Sequence, residues 1–480
     1  MLKKSLTLMG VAAAFFAQAQ DISVLRNTVD VYSNTDYFGG AKYNAMVGAT
    51  GALGGESSSL LNNPAGIGLA ITDDFSATLG VQGNKNKTTL GGSSLTNKQT
   101  NTNLVNAGGL ATFQLMTEKP WKFVNVAVNY SNRSLDNYVE SPGNTNITFQ
   151  KNLLDSDNLP VVGNLAYKGH AYDRVGDASV MNIGVGANYD NNLYFGLGLN
   201  FHNVSLDQYD SAAFSLDLDN NRTSIYDKQY SPYTEKSSGF SATVGVIGKV
   251  NNQLRLGLSV QTPTWWQIER AYRTYAEGST GYMGYADYSE DRKFRSPLKA
   301  TVSAAYVPNK SFAINLDYTL GLSKPHYKVM GDAETELNNF QDDFYKNQQE
   351  VKIGAEYRAK QWRFRGGYGY ASSPFDNISA TSYNNVGAVA DTNYSNLILG
   401  ERNTVGLGVG YDFKSFFIDA SYQNVSSTYK NPFLHGTVIS NSPYFSTGYH
   451  NDFDIVSDAY AVSEVKNNRN NFFITVGWKF

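Results

Sequence analysis

The chain closes on Asn471-Phe472-Phe473-Ile474-Thr475-Val476-Gly477-Trp478-Lys479-Phe480. Phe472, Ile474, Val476, Trp478 and Phe480 take every second place. Asn471, Thr475, Gly477 and Lys479 lie between most of them, and only Phe473 breaks the polar set. Successive side chains of a strand point to opposite faces, so one face of this segment is greasy and the other mostly is not. About 9–11 residues of this pattern cross a bilayer as a tilted strand.

The alternation recurs about fourteen times along the chain. Phe75, Ala77, Leu79 and Val81 make the first apolar face. The odd positions of residues 105–115 make the second, and Val124, Val126, Val128 and Tyr130 the third. Short polar turns such as Asp190-Asn191-Asn192, Asn251-Asn252-Gln253 and Lys414-Ser415 alternate with long polar stretches, residues 132–178 and 429–467. Short turns at one end and long loops at the other mark a barrel that spans a membrane. A soluble sandwich has no need of that asymmetry. The sequence therefore predicts an all-β chain, a 14-stranded antiparallel transmembrane barrel over residues 71–480.

Composition agrees. With 33 Tyr, 26 Phe and 44 Gly against 12 Pro, the chain has aromatics for interfacial girdles and glycines for a crowded lumen. A net charge of −3 gives no electrostatic case for nucleic acid. The absence of cysteine removes disulfides and thiolate metal sites. A soluble chain of 480 residues would suggest about three domains, but no flexible linker divides this one. Residues 1–19 read as a signal peptide. Lys3 and Lys4 precede a short apolar run, and Ala17-Gln18-Ala19 offers a small-x-small cleavage site. The run is too short to span a bilayer as a helix. The expected location is an outer membrane, reached without a helical anchor.

Arg255, Lys299, Asp317, Lys352, Glu356, Arg358, Arg363, Arg365 and Asp419 all fall on the polar parity. Charge on the lipid face is costly, so these read as a lumen network that holds the wall. The five histidines (His170, His202, His326, His435 and His450) are scattered. No nucleophile, base and acid converge, so no catalytic residue, cofactor or metal is expected, and the chain does not read as an enzyme.

Residues 20–70 do not alternate. They are rich in Gly, Ala, Ser and Asn, and end on Asn62-Asn63-Pro64-Ala65-Gly66-Ile67-Gly68. Small side chains pack closely in a confined space, and fourteen strands leave room for a plug. The block Ala45-Met46-Val47-Gly48-Ala49-Thr50-Gly51-Ala52-Leu53-Gly54-Gly55-Glu56, followed by Asn63-Pro64-Ala65-Gly66, resembles the hatch of the FadL/OmpP1/TodX outer-membrane transporters, in particular the branch found in Bacteroidetes. Residues 401–411 resemble the family's late strand, and the terminal Phe480 resembles the assembly signal of outer-membrane barrels.

The resemblance implies gated, passive uptake of a hydrophobic small molecule, a long-chain fatty acid or an aromatic hydrocarbon. It implies a hatch docked through Asn63, Pro64, Ala65 and Gly66, and a side exit near an inward kink of the third strand, where Asn125 and Asn129 line the lumen. Trp265, Trp266, Tyr272 and Tyr275 offer an apolar capture surface, or else an interfacial girdle. The expected partners are the ligand, outer-membrane lipids and lipopolysaccharide, and the barrel-assembly machinery, with the chain a monomer. The alternatives are a diffusion porin for small polar solutes, and a surface adhesin or structural barrel.

Overall fold

Leu79, Val126, Leu197, Leu256, Leu316, Ile353, Leu407 and Ile474 come from eight different strands, and each stands 37–63% exposed on the outside of one sheet. A soluble protein rarely shows an apolar patch beyond a few hundred Å². A belt that circles the molecule has a lipid solvent. The computed structural model describes residues 21–34, 36–116, 119–154, 159–218, 223–229, 233–277, 283–329, 332–436 and 457–480. The expected signal peptide lies outside them.

The strands in chain order are β1 Asp74–Leu90, β2 Ser93–Gln114, β3 Trp121–Ser134, β4 Asn137–Leu154, β5 Pro160–Tyr189, β6 Leu193–Leu218 and β7 Thr223–Gln229. Next come β8 Tyr233–Lys249, β9 Leu254–Gln261, β10 Trp265–Glu277, β11 Met283–Arg295, β12 Lys299–Asn309, β13 Phe312–Gly321 and β14 His326–Lys328. The last are β15 Gln349–Ala359, β16 Trp362–Ala371, β17 Ile378–Tyr383, β18 Val389–Tyr394, β19 Arg402–Asp412, β20 Phe416–Phe433 and β21 Ala461–Lys479. Antiparallel ladders run β1-β2-β3-β5-β6-β8-β9-β12-β13-β15-β16-β19-β20-β21, and β21 pairs with β1. The result is a closed 14-stranded barrel. Closure leaves no edge in the belt, so its backbone groups find partners in the ladders without water.

Two expectations need correction. The odd positions of residues 105–115 do not all face lipid. Thr78 pairs with Asn106 but Leu79 with Leu104, so Val105 is an extra residue in a bulge. It turns inward and is buried with Phe473 and Ala41, which also explains the one apolar residue on the polar face of the last strand. Periodicity alone does not reveal a bulge, because one inserted residue exchanges the two faces. The stretch 132–178 is not a loop either. It continues as β4 and β5, paired from Asn137↔Arg174 to Leu154↔Pro160 beyond the belt. Ladder hydrogen bonds sustain that hairpin, and its polar residues carry no hydrophobic period.

At the loop end three adjacent strands break at prolines: Pro263 between β9 and β10, Pro297 between β11 and β12, and Pro325 between β13 and β14. Among the described residues β14 pairs only with β11. Its other side is covered by the helix Asp332–Phe344, where Asn338 donates Nδ2–H to Tyr327 O and accepts the Tyr327 N–H at Oδ1, both at 2.9 Å.

Candidate functional site: the inner segment and the lumen

The segment ahead of β1 folds inside the barrel as short helical pieces: Asp21–Asn27, Thr28–Tyr32, Ala41–Ala45, Ser57–Leu61 and Pro64–Leu69. Short pieces suit a sequence so rich in glycine, which gains little from long helices. Asn63 caps the last piece. Its Oδ1 accepts the Ala65 N–H at 3.1 Å, and Pro64 takes the first helical place, where no N–H is needed. Asn63 also donates Nδ2–H to Gly51 O at 2.8 Å. This asparagine therefore ties two turns of the inner segment together. The motif meets the wall through Ala65, fully buried against Tyr194 and Ile247.

Wall glycines make the close contact possible. A Cβ at Gly184 would stand 2.3 Å from the Leu60 side chain, at Gly186 2.5 Å from that of Ile67, at Gly196 2.2 Å from Ala65 N, and at Gly245 1.9 Å from Asn63 Oδ1. Gly354, Gly367, Gly406 and Gly408 take the same close position against Ala45 and Met46. The sequence reading missed these residues. The available signal was a glycine at inward parity on strand after strand.

Polar groups complete the seat. Asp317 accepts the Gly51 N–H at 3.1 Å and Asn62 Nδ2–H at 2.7 Å. Arg255 reaches Leu53 O at 3.4 Å, and Lys299 reaches Ser33 O at 3.0 Å. Asp36 of the inner segment sits between Arg402, at 2.7 Å, and Lys352, at 3.4 Å. Burial works against its charged form, but Arg402 and then Lys352 outweigh it and hold the carboxyl well below the usual carboxylate range. Five of the expected lumen charges pair within the wall alone. Arg365 bridges Glu356 at 2.6 Å and Asp419 at 2.9 Å, and Arg358 meets Glu356 from a half-exposed position. Arg363 is paired separately with Asp412 at 3.3 Å.

Asn125 donates to Ile67 O at 2.7 Å and to Ala70 O at 2.9 Å, clamping the exit of the inner segment. Asn129 belongs to a chain of side-chain amides running from Asn106 through Asn182 to Asn200. Both lie in the regularly paired part of β3. The departure from the wall comes later. β2–β3 pairing ends at Asn106↔Ser131, although β3 stays paired with β5 through Ser134. The chain then crosses the inner face of β1. There Gln82 accepts the Ser134 N–H at 3.1 Å, Asn84 donates to Asp136 O at 2.9 Å, and Asn86 donates to Tyr138 O at 2.8 Å. The wall thus has a seam between β2 and β3, closed by side chains instead of a ladder.

A cavity of about 150 Å³ lies against this seam. Val29, Tyr37, Phe38 and Tyr43 line it from the inner segment, and Arg133, Lys352, Arg402 and Arg469 from the wall. The aromatic capture residues are not brought together. Trp265 is exposed on the outer wall, while Trp266 is buried inside and donates Nε1–H to Tyr32 O at 3.0 Å. Neighbours on a strand take opposite faces, so the pair cannot form one landing surface. Tyr272 stacks on Tyr288 with ring centroids 5.5 Å apart. Tyr275 lies on β10, and its side chain is outside the described residues.

The Asn63-Pro64-Ala65 turn has a direct test. Asn63→Ala leaves Gly51 O without its donor and is expected to cost ~1–3 kcal/mol of docking. Ala65→Leu overpacks the Tyr194–Ile247 contact by a similar ~1–3 kcal/mol. Both should raise ion leak in planar bilayers while heat-modifiable migration on gels stays that of a folded barrel. Leak at the parent level in both would show that the turn does not seat the segment.

No protein-family model matches the sequence, and no curated protein matches it. Solved structures do match in fold. A FadL homologue of Pseudomonas aeruginosa is 11% identical, covers 92% of this chain and 98% of its own, and has a TM-score of 0.52. The toluene transporter TodX of Pseudomonas putida is 14% identical over 93% of this chain and 99% of its own, with a TM-score of 0.52. The monoaromatic hydrocarbon channel CymD is 12% identical over 92% and 97%, with a TM-score of 0.50. This chain is similar in fold, across nearly its whole length, to the FadL- and TodX-type hydrophobic-compound channels.

Proposed function

We propose that this protein is an outer-membrane channel for passive uptake of hydrophobic small molecules, with residues 20–70 as a movable hatch. The observation that carries the reading is the cavity of about 150 Å³ between the inner segment and the β2–β3 seam. It gives an apolar molecule a place inside the wall, next to a side route that needs no ladder to be broken. Its size favours a one-ring molecule. Dry protein cavities near 150 Å³ hold benzene, whereas drug-sized ligands need ~300–1,000 Å³. A long-chain fatty acid would require the hatch to move first. The toluene and monoaromatic channels of the same fold support that choice.

One observation favours the porin alternative. Arg133, Lys352, Arg402 and Arg469 line the cavity together with Asp30, Asp36, Asp136 and Glu350, a charged wall of both signs that suits a small polar solute. Uptake of labelled toluene, oleate and benzoate by cells expressing the protein, together with single-channel conductance, separates the readings. Toluene uptake with near-zero conductance is expected. Steady conductance with benzoate uptake alone would make the chain a porin.

A further inference from the structure

We infer that the outer wall carries a binding site for a phosphorylated glycolipid of the outer leaflet, at the loop side of β6, β8, β10, β11 and β14. This rests on the outer-membrane reading above. The ladders place Phe201, Phe240, Trp265, Arg295 and His326 side by side in one row, all facing outward and all exposed. The next row outward holds Ser238, Gln267, Lys293 and Lys328. Trp265 stacks on Phe240 at 6.4 Å, and Phe240 packs on Phe201 at 5.5 Å. Below them on β6, β8 and β9 lie Leu197, Leu199, Val244 and Leu258, part of the exposed belt.

Greasy and cationic groups thus meet in one groove of about 760 Å³, lined by Phe201, Phe240, Trp265, Lys293, Arg295 and Lys328. Among the described residues none of these three cations has an ion-pair partner. On the neighbouring strands Glu269 and Asp291 face each other one row further out, Glu269 also stands opposite Lys236, and Glu334 of the covering helix accepts the Val329 N–H at 2.9 Å. Unpaired cations at the edge of a lipid belt are placed for an anionic headgroup. Arg295 can give a phosphate two parallel N–H bonds, and Lys293 and Lys328 add compact charge beside it. Acyl chains then run down the aromatic and aliphatic wall. The site faces away from the lumen, so it serves a membrane lipid and not the transported molecule. A soluble phosphate ion has no use for the aromatic half of the groove.

The test uses the full mature protein, delipidated in detergent. Diphosphoryl lipid A, dephosphorylated lipid A and inorganic phosphate are titrated in turn, with bound lipid counted by native mass spectrometry. The K293Q/R295Q/K328Q variant should bind diphosphoryl lipid A roughly a hundredfold more weakly, about fivefold for each cation. K360Q, at the turn end, should bind as the parent does. Heat-modifiable migration checks that each barrel is folded, and only exposed positions are changed. Equal binding by the triple variant overturns the inference, as does equal binding of dephosphorylated lipid A. Displacement of lipid A by equimolar inorganic phosphate also overturns it. Membrane fractionation is scored separately. A protein absent from the outer membrane refutes the functional reading, whereas a protein present there without charge-dependent lipid A binding refutes the lipid site alone.

Discussion

Gly196→Val will make the barrel leak. A Cβ at this position lies 2.2 Å from Ala65 N and from Pro64 C, and both are backbone atoms that cannot rotate aside. Gly245→Val meets Asn63 Oδ1 at 1.9 Å with the same result. Overpacking of this kind costs ~1–3 kcal/mol, and each ~1.4 kcal/mol shifts the seated-to-displaced ratio about tenfold. The wall itself keeps its ladder hydrogen bonds and its belt, so the penalty falls on the seating of the inner segment. Conductance in planar bilayers should rise at least about fivefold for each valine variant, with the alanine variants between valine and parent. Parent-level conductance in all four would mean that close fit does not hold the segment.

The second large effect is an engineered lock. The chain has no cysteine, so a pair introduced at Ala49 and Gly354 can form one bond only. The Ala49 Cβ is 3.1 Å from the place where a Gly354 Cβ would stand. Disulfides span ~3.5–4.5 Å between Cβ atoms, so the two Cβ positions must separate by about 0.4 Å or more. Oxidised A49C/G354C protein should be sealed, with hydrophobic uptake at background, and dithiothreitol should restore the rates of the G354C single variant, whose added Cβ already stands 2.9 Å from Met46 O. Parent uptake in the oxidised form would show that passage needs no movement of residues 45–49. Both outcomes are read at matched surface expression.

The barrel was legible in the sequence because lipid imposes one rule on every strand. Alternation in Val124-Val126-Val128-Tyr130 or Leu193-Phe195-Leu197-Leu199-Phe201 survives on all sides of the belt, and the turn residues mark its ends. Val105 escaped because a bulge changes parity without changing composition. The β4–β5 hairpin escaped because beyond the belt no solvent demands greasy side chains. Within the lumen, the Asn-Pro-Ala-Gly turn was visible as a small-residue block, but its partners were not. Asn63 bonds to Gly51, twelve residues away in the same segment, and the wall meets the turn through absent side chains at Gly196 and Gly245. Which glycines face which turn depends on barrel registry, a long-range property that a local pattern does not carry. Trp265 and Trp266 illustrate the reverse error: adjacency in sequence suggested one surface where the pleat makes two.

At the loop end, the short strand around Tyr327 has, among the described residues, no strand on its second side. A bare strand edge is a template for intermolecular zipping, the first step of edge-to-edge aggregation. Here the carboxamide of Asn338 fills both the donor and the acceptor of Tyr327. One side chain thus mimics the missing neighbour. A strand arriving from an adjacent barrel in a crowded membrane finds these two groups already taken, and the sheet stops growing at this chain's own boundary.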